Sequence, residues 1–200
     1  MVMSTEQKYP VRDLLRHLEQ LKRERATFEP YWRDIKDYIV PHRGRFLSGD
    51  SETEVNNGQR NDGKIINGEA TKAVDVAANG MQSGLTSKAR RWMRTGSFDR
   101  TLAKSAVSRK FYAQVEKAAF EHYDNSNLYD SLLDVYGELI SFGTAAVAIL
   151  PHPENVFFFR TYTCGSYFVS CNIRQEVDSF FTFEYMTVKQ MADEYGVDRL

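Results

Sequence analysis

The sequence is poor in the residues that staple small folds or build redox and metal centres. It has two cysteines, Cys164 and Cys171, in 200 residues. No histidine neighbours either one, so a zinc site is not expected, and with no secretory signal in the polar first ten residues a reduced pair is. The four histidines, His17, His42, His122 and His152, are scattered without ligand spacing. Five prolines are present, none inside a helical pattern that it would break. No run approaches the roughly eighteen apolar residues that span a bilayer; the longest, Thr144 to Leu150, suits a buried strand. Neither sign of charge dominates: 26 basic against 27 acidic residues give a net charge of -1, which excludes a chain that is basic throughout. Motifs of catalysis are absent as well. There is no Gly-x-x-x-x-Gly-Lys-Ser/Thr loop for phosphates and no Gly-x-Ser-x-Gly elbow. Asp62 and Lys64 match a fragment of nuclease motifs, but no second acidic block accompanies them. Glu19/Glu24 and Asp34/Asp37 read as solvated helix faces.

What is present is helix first and strand last. Val11, Leu14, Leu15, Leu18 and Leu21 recur at helical spacing within residues 5–28. Pro30 opens a shorter helix, where its missing N–H costs nothing, with Tyr31, Trp32, Ile35, Tyr38 and Ile39 on its apolar face and Pro41 at its end. Residues 40–62 form a long polar loop. Asn61 and Asp62 are candidate caps for a helix over 64–83, whose expected inner face is Ile66, Ala70, Ala73, Val74, Ala77 and Met81 and whose end is marked by Gly80 and Ser83-Gly84. Residues 86–98 are irregular and basic. A helix over 103–122 is expected to turn Val107, Phe111, Val115, Ala118 and Ala119 inward. Another, over 128–141, carries Leu128, Leu132, Val135 and Leu139 and stops at Gly143. Four β-rich segments follow at 144–150, 156–162, 166–173 and 176–185, read as a small antiparallel meander. Thr187 and Gln190 have the spacing of a capping box for a last short helix. The fold class expected is α+β, with residues 1–143 helical and 144–200 strands plus a short helix, both parts of one domain. The chain reads as cut after residue 200 rather than finished.

Three segments have the composition of contact surfaces. The first is small-residue: Ala77-Ala78-Asn79-Gly80-Met81-Gln82-Ser83-Gly84-Leu85-Thr86-Ser87, preceded by Asp62 to Ala70 and followed by Arg91-Trp92-Met93. Gly80 and Gly84 allow close backbone approach or left-handed turns, and Trp92 offers a large anchor with one N–H to satisfy; ordinary helix-end chemistry explains each feature taken singly. The second is basic: Lys88, Arg90, Arg91, Arg94, Arg100, Lys104, Arg109 and Lys110, opposed by Asp99. Such a cluster neutralises phosphates without reading sequence, or serves as a solvated face or a salt-bridging surface for a neighbouring subunit. The acidic residues Glu176, Asp178, Glu184, Asp193, Glu194 and Asp198 are a candidate partner surface. The third is the 40–62 loop, with His42, Arg43 and Arg45 followed by Asp50, Glu52 and Glu54, which reads equally as a contact arm or as a plain surface loop.

Taken in order, these blocks resemble the N-terminal part of the head-to-tail connector (portal) proteins of short-tailed bacteriophages. The small-residue stretch and its tryptophan carry the resemblance, together with Trp32 to Pro41 and with Leu128 to Ala146, which contains Glu138 and Phe142-Gly143-Thr144-Ala145-Ala146. Gly165-Ser166-Tyr167 and Met186 to Met191 continue it. The resemblance covers nearly the whole chain and implies the wing-like region of a portal subunit; the family's stem, clip and crown are not in these residues. It implies a non-enzymatic subunit of a homo-oligomeric ring, expected to be a dodecamer, at one capsid vertex of the virion, assembled in the host cytoplasm, with no cofactor. Implied partners are the major capsid protein, scaffolding protein, the terminase large subunit, tail adaptor proteins and double-stranded DNA passing through without sequence recognition; no membrane is involved. The motor that packages DNA needs an ATPase, and that would be another protein. Lys88, Arg90, Arg91 and Arg94 are the candidates for DNA or subunit contact; Trp32, Gly80, Gly84, Trp92 and Gly143 are the structural signature. Two other readings remain: a non-catalytic DNA-binding module, which salt-sensitive binding by a monomer would mark, and a metal-dependent nuclease, which metal-dependent cleavage would mark.

Overall fold

The computed structural model describes residues 10–43, 63–183 and 186–196. The chain divides into two compact units. The larger comprises residues 29–165; the smaller is made from both ends of the chain, residues 1–28 and 166–200. This division cuts across a linear boundary at 143/144, because the four strands are shared between the units.

The larger unit is organised by one helix. Its elements are α2 (Glu29–Tyr38), α3 (Glu69–Leu85), α4 (Arg100–Lys104), α5 (Ala106–Asn125), α6 (Leu128–Phe142), β1 (Ala146–His152) and β2 (Val156–Tyr162). α6 packs against α2, α3, α5, β1 and β2. Seven of its residues are buried: Leu128, Tyr129, Ser131, Tyr136, Gly137, Glu138 and Phe142. It ends where Gly143 takes a left-handed φ of 73° and donates to the Leu139 carbonyl at 3.0 Å, a conformation a side chain resists. Phe142 joins Val40 and Cys164 in the core, with Trp32, Ile35, Ile39 and Val74 packed around them. Leu139, read on the same side of the helix as the buried Leu128, is 42% exposed.

The first turn of α6 is tied to β2 by side chains. The Asn127 amide donates to the Phe159 carbonyl at 2.6 Å and accepts from the Phe159 N–H at 2.8 Å. It thus substitutes for a neighbouring strand at that position, and it makes no cap bond to its own helix. Ser131 donates to the same carbonyl at 3.1 Å, and Thr161 donates to the Ser131 carbonyl at 3.2 Å. β1 and β2 form an antiparallel pair running from Ala146↔Tyr162 to His152↔Val156. At its turn the His152 Nδ1 accepts from the N–H groups of Glu154 and Asn155, and Val156 takes φ 68°. Pro151 is tolerated within β1 because a two-stranded sheet has only edge strands.

In the smaller unit α1 (Val11–Arg25) packs on β3 (Tyr167–Cys171), which pairs antiparallel with β4 (Val177–Thr182); α7 (Val188–Tyr195) follows. Leu21 is the buried residue of α1. The Arg25 guanidinium lies 3.7 Å from the centroid of the Phe168 ring and donates to the Tyr167 carbonyl at 3.3 Å. His17 meets Phe181 edge to face at 5.7 Å. α7 opens with the full capping box: Gln190 N–H to Thr187 Oγ1 and Thr187 N–H to Gln190 Oε1.

The α+β class is as expected, and the four strands fall within two or three residues of the expected segments. They form two separate antiparallel pairs, β1-β2 and β3-β4, rather than a continuous four-stranded meander. The faces of two helices also differ from expectation. α3 starts at Glu69 and runs to Leu85, so Gly80 and Ser83-Gly84 lie inside it, not at its end. Ile66, Ala70, Ala73 and Ala77 are exposed, while Thr71, Val74, Ala78, Met81 and Gln82 turn inward. In α5 the expected inner residues Val107, Phe111 and Val115 are exposed at 79%, 59% and 40%. Ala118 is exposed as well, and Ala119 alone of the five turns inward; Tyr112, Glu116, Phe120 and Tyr123 make up the rest of the packed side. The candidate caps Asn61 and Asp62, and the loop from residue 44 on, lie outside the described residues.

Candidate interaction surface

The basic stretch follows the C-terminus of α3 in the larger unit, and Arg90 and Arg91 fasten it to its surroundings. Arg90 donates from Nη2 to the carbonyls of Ser83 at 3.1 Å and Gly84 at 3.3 Å. A guanidinium at the negative end of a helix satisfies carbonyls that the helix leaves unpaired and complements its dipole. At the end of α3 the hydroxyls of Thr86 and of Tyr136 on α6 share a hydrogen bond 2.9 Å long. Arg91 pairs with Glu116 of α5 at 3.2 Å and lies 5.7 Å from the Phe120 ring centroid. Thr95 donates to the Tyr112 carbonyl of α5 at 2.9 Å. Residues 90–95 are therefore laid along α5, which explains why its aromatic side faces inward.

Trp92 is the centre of that attachment. Its ring stacks on Tyr123 at 6.2 Å and meets Phe120 edge to face at 5.9 Å. The indole Nε1 is buried and has no hydrogen-bond partner among the described residues. Burying an unpaired N–H costs about 1–3 kcal/mol, against which the stacked rings and buried ring area act.

Two of the four basic candidates are left for outside contact. Arg94 is exposed and forms no ion pair among the described residues. Lys88 is exposed, with its ammonium 5.6 Å from the Tyr129 ring centroid. Lys88 also lines two neighbouring recesses. One, of about 600 Å³, is bounded by Asn79, Gly80, Gln82, Ser83, Ser87 and Tyr129. The other, of about 280 Å³, is bounded by Arg90, Arg91, Lys117, Phe120, Glu121 and Asp124. Lys117 pairs with Glu121 at 3.6 Å, so the second recess is of mixed sign rather than a pure anion site. Lys104, Arg109 and Lys110 are exposed. Of the acidic candidates, Glu176, Asp178 and Asp193 are exposed in the smaller unit; Glu184, Asp198 and the Glu194 side chain lie outside the described residues.

Asp99 and Lys64 show the local electrostatics. Thr101 donates from both its hydroxyl and its N–H to the Asp99 carboxylate, which holds that carboxyl below its ordinary range. The bond to Asp37 at 2.6 Å raises the Lys64 ammonium above its ordinary value. No group of three or more His, Cys, Asp or Glu residues able to hold a metal occurs among the described residues. Among them, too, no helix is long and apolar enough to cross a membrane.

Comparison with known proteins bears on this arrangement directly. Residues 11–200 match the model of the family described as bacteriophage head to tail connecting protein. The chain belongs to that family. It is 35% identical over 187 residues to the portal protein of Salmonella phage epsilon15, covering 94% of this chain and 33% of the relative. It is 33% identical over 186 residues to the probable portal protein of Bordetella phage BPP-1, covering 93% of this chain and 33% of the relative. The chain thus spans about a third of the length of the curated relatives it matches.

In this head-to-tail connecting chain the signature residues have unequal structural roles. Trp32 packs against the Val40, Phe142 and Cys164 core, Trp92 pins residues 90–95 to α5, and Gly143 makes the left-handed turn that frees β1. Gly80 and Gly84 correct the expectation placed on them. Neither has a positive φ, and a Cβ at either would meet nothing within 4 Å. They lie on an open stretch of α3, so neither a tight turn nor a close approach within the described residues requires glycine there. A different glycine is tightly enclosed: Gly137 of α6, where a Cβ would lie 2.6 Å from the Arg43 guanidinium. The sequence signal for it was a glycine in the middle of a strongly apolar helix, which normally needs a packing reason.

Proposed function

We propose that this chain is part of a portal subunit, a structural and non-catalytic component of the virion at the vertex where head and tail join. The observation that carries the reading is the 35% identity to a portal protein across 94% of the chain. In this reading the subunits close into a homo-oligomeric ring, a dodecamer, and both units belong to its wing-like region. The ring is the conduit for double-stranded DNA during packaging and ejection. It docks the terminase and the tail adaptors, and it meets the capsid and scaffolding proteins.

The basic stretch supports a division of labour within it. Arg90 and Arg91 hold the segment onto α3 and α5. Lys88 and Arg94 are the side chains that meet DNA phosphates or a neighbouring subunit. In a closed ring each subunit offers one surface to the next, and contact with passing DNA must be electrostatic and independent of sequence.

The test is to purify the intact subunit and determine its assembly by electron microscopy and native mass. A closed ring around a channel is expected. A monomer that binds DNA with strong salt dependence would favour a plain DNA-binding module, and metal-dependent cleavage of DNA would favour a nuclease; either would overturn the proposal.

A further inference from the structure

Arg43 reaches back from the end of the arm that follows α2 and lies across α6. Its Nη1 donates to the Asp134 carbonyl at 3.0 Å and pairs with the Glu138 carboxylate at 3.4 Å. Its Nη2 pairs with the Asp134 carboxylate at 3.3 Å. The residue between those two contacts is Gly137. A Cβ there would lie 2.6 Å from Nη2, 2.8 Å from Cζ and 3.2 Å from Nε. The guanidinium therefore rests on α6 at the glycine, where a side chain would force the end of Arg43 to shift. Glycine weakens a helix interior relative to alanine, and Gly137 has ordinary helical φ, so helix geometry gives no reason for it.

Glu138 supplies the other half of the arrangement. Its side chain is only 2% exposed, while that of Arg43 is 24% exposed. The carboxylate also accepts from the Thr163 hydroxyl at 3.0 Å and from the Cys164 N–H at 2.9 Å. A buried carboxylate needs a cation or several donors beside it, and Arg43 is a cation in contact with this one. The same carboxylate thus ties α6 to the end of β2 and, through Arg43, to the arm.

We propose that Arg43, Gly137 and Glu138 form a latch that docks the arm of residues 39–43 on α6, and that withdrawing the guanidinium releases the arm. The arm is otherwise held by short-range backbone bonds, Val40 N–H to Ile35 and Arg43 N–H to Val40, by the Thr71 hydroxyl of α3 donating to the Ile39 carbonyl at 2.6 Å, and by Val40 and Ile39 at the core; Arg43 is what fastens its far end. This proposal is independent of the portal reading, since it concerns only the packing of α6.

The latch predicts a reversal of sign that a purely local role for Gly137 does not. In the otherwise unchanged chain, Gly137→Ala should lower the unfolding midpoint and speed amide exchange at Val40 and Arg43 by on the order of tenfold. In an Arg43→Ala background the clash is gone, so the same substitution should raise the midpoint, because alanine is the better helix former. Arg43→Lys, which retains charge without the flat fork, provides a milder background should Arg43→Ala fail to fold. Adding Glu138→Gln to Arg43→Ala should recover part of the lost midpoint by removing the unpaired charge. The proposal is overturned if Gly137→Ala shifts the midpoint equally in both backgrounds, or if Arg43→Ala leaves arm exchange unchanged.

Discussion

α5 and α6 are consecutive helices of the same unit, and they use their apolar residues in opposite ways. α6 buries seven of its fifteen residues, and α5 buries one of twenty, Phe120. α6 is surrounded, and its buried Ser131 and Glu138 are bonded, Ser131 to β2 and Glu138 to Thr163 and Cys164, while Asn127 just before it bonds β2 as well. α5 carries two apolar stripes. One holds Tyr112, Phe120 and Tyr123; the other holds Val107, Phe111 and Val115. The aromatic stripe is the one covered, because Trp92 and residues 90–95 pack on it, and aromatic rings offer more area and defined ring geometry. Periodicity alone identifies a helix, but it does not rank two stripes on the same helix.

Substitutions sharpen this contrast. Phe142→Ala, at the closing end of α6, should destabilise the protein by about 3–5 kcal/mol, read by chemical denaturation. A loss below 1 kcal/mol would mean that α6 is not the organising helix. Asn127→Ala should cost about 1–3 kcal/mol, because it strands the N–H of Phe159 and leaves its carbonyl to the Ser131 hydroxyl alone. The loss should appear as faster exchange at Phe159, and unchanged exchange there would break the link between α6 and β2. Phe111→Ser, on the uncovered stripe of α5, should change stability of the isolated chain by no more than about 0.5 kcal/mol; a large loss would show that this stripe, and not the Phe120 side, is the packed one. The smallest effect concerns α4. The Asp99 carboxyl is held below its ordinary range by Thr101, so its contribution to stability is present above the unfolded carboxylate range and disappears as pH falls through the lower, folded value. Backbone NMR should show α4 fraying over that acidic interval with α6 unchanged, and Asp99→Asn should remove the pH dependence.

The sequence foretold the elements well where local chemistry determines them. Gly143 as a helix stop, the Thr187–Gln190 capping box and the four strand segments depend on the residues involved and their immediate neighbours. The faces of α3 and α5 and the pairing of the strands depend on what lies opposite, and that is a tertiary matter. The four strand segments looked like one meander because turn signals separate them evenly; nothing local marks the 165/166 change from one unit to the other. Among the contact candidates, Arg90 and Arg91 were legible as basic residues, but their partners were not. Ser83 and Gly84 offer backbone carbonyls, which no side-chain pattern reveals, and Glu116 lies 25 residues from Arg91. The Arg43–Gly137–Glu138 arrangement was missed for the same reason, its halves being more than 90 residues apart.

The portal assignment is tested most directly in assembled particles. Purified virions carrying an epitope tag on the intact subunit would be labelled and imaged by electron microscopy. The account predicts label at a single vertex, at the junction of head and tail. Label spread over all vertices, or absent from the virion, would contradict it.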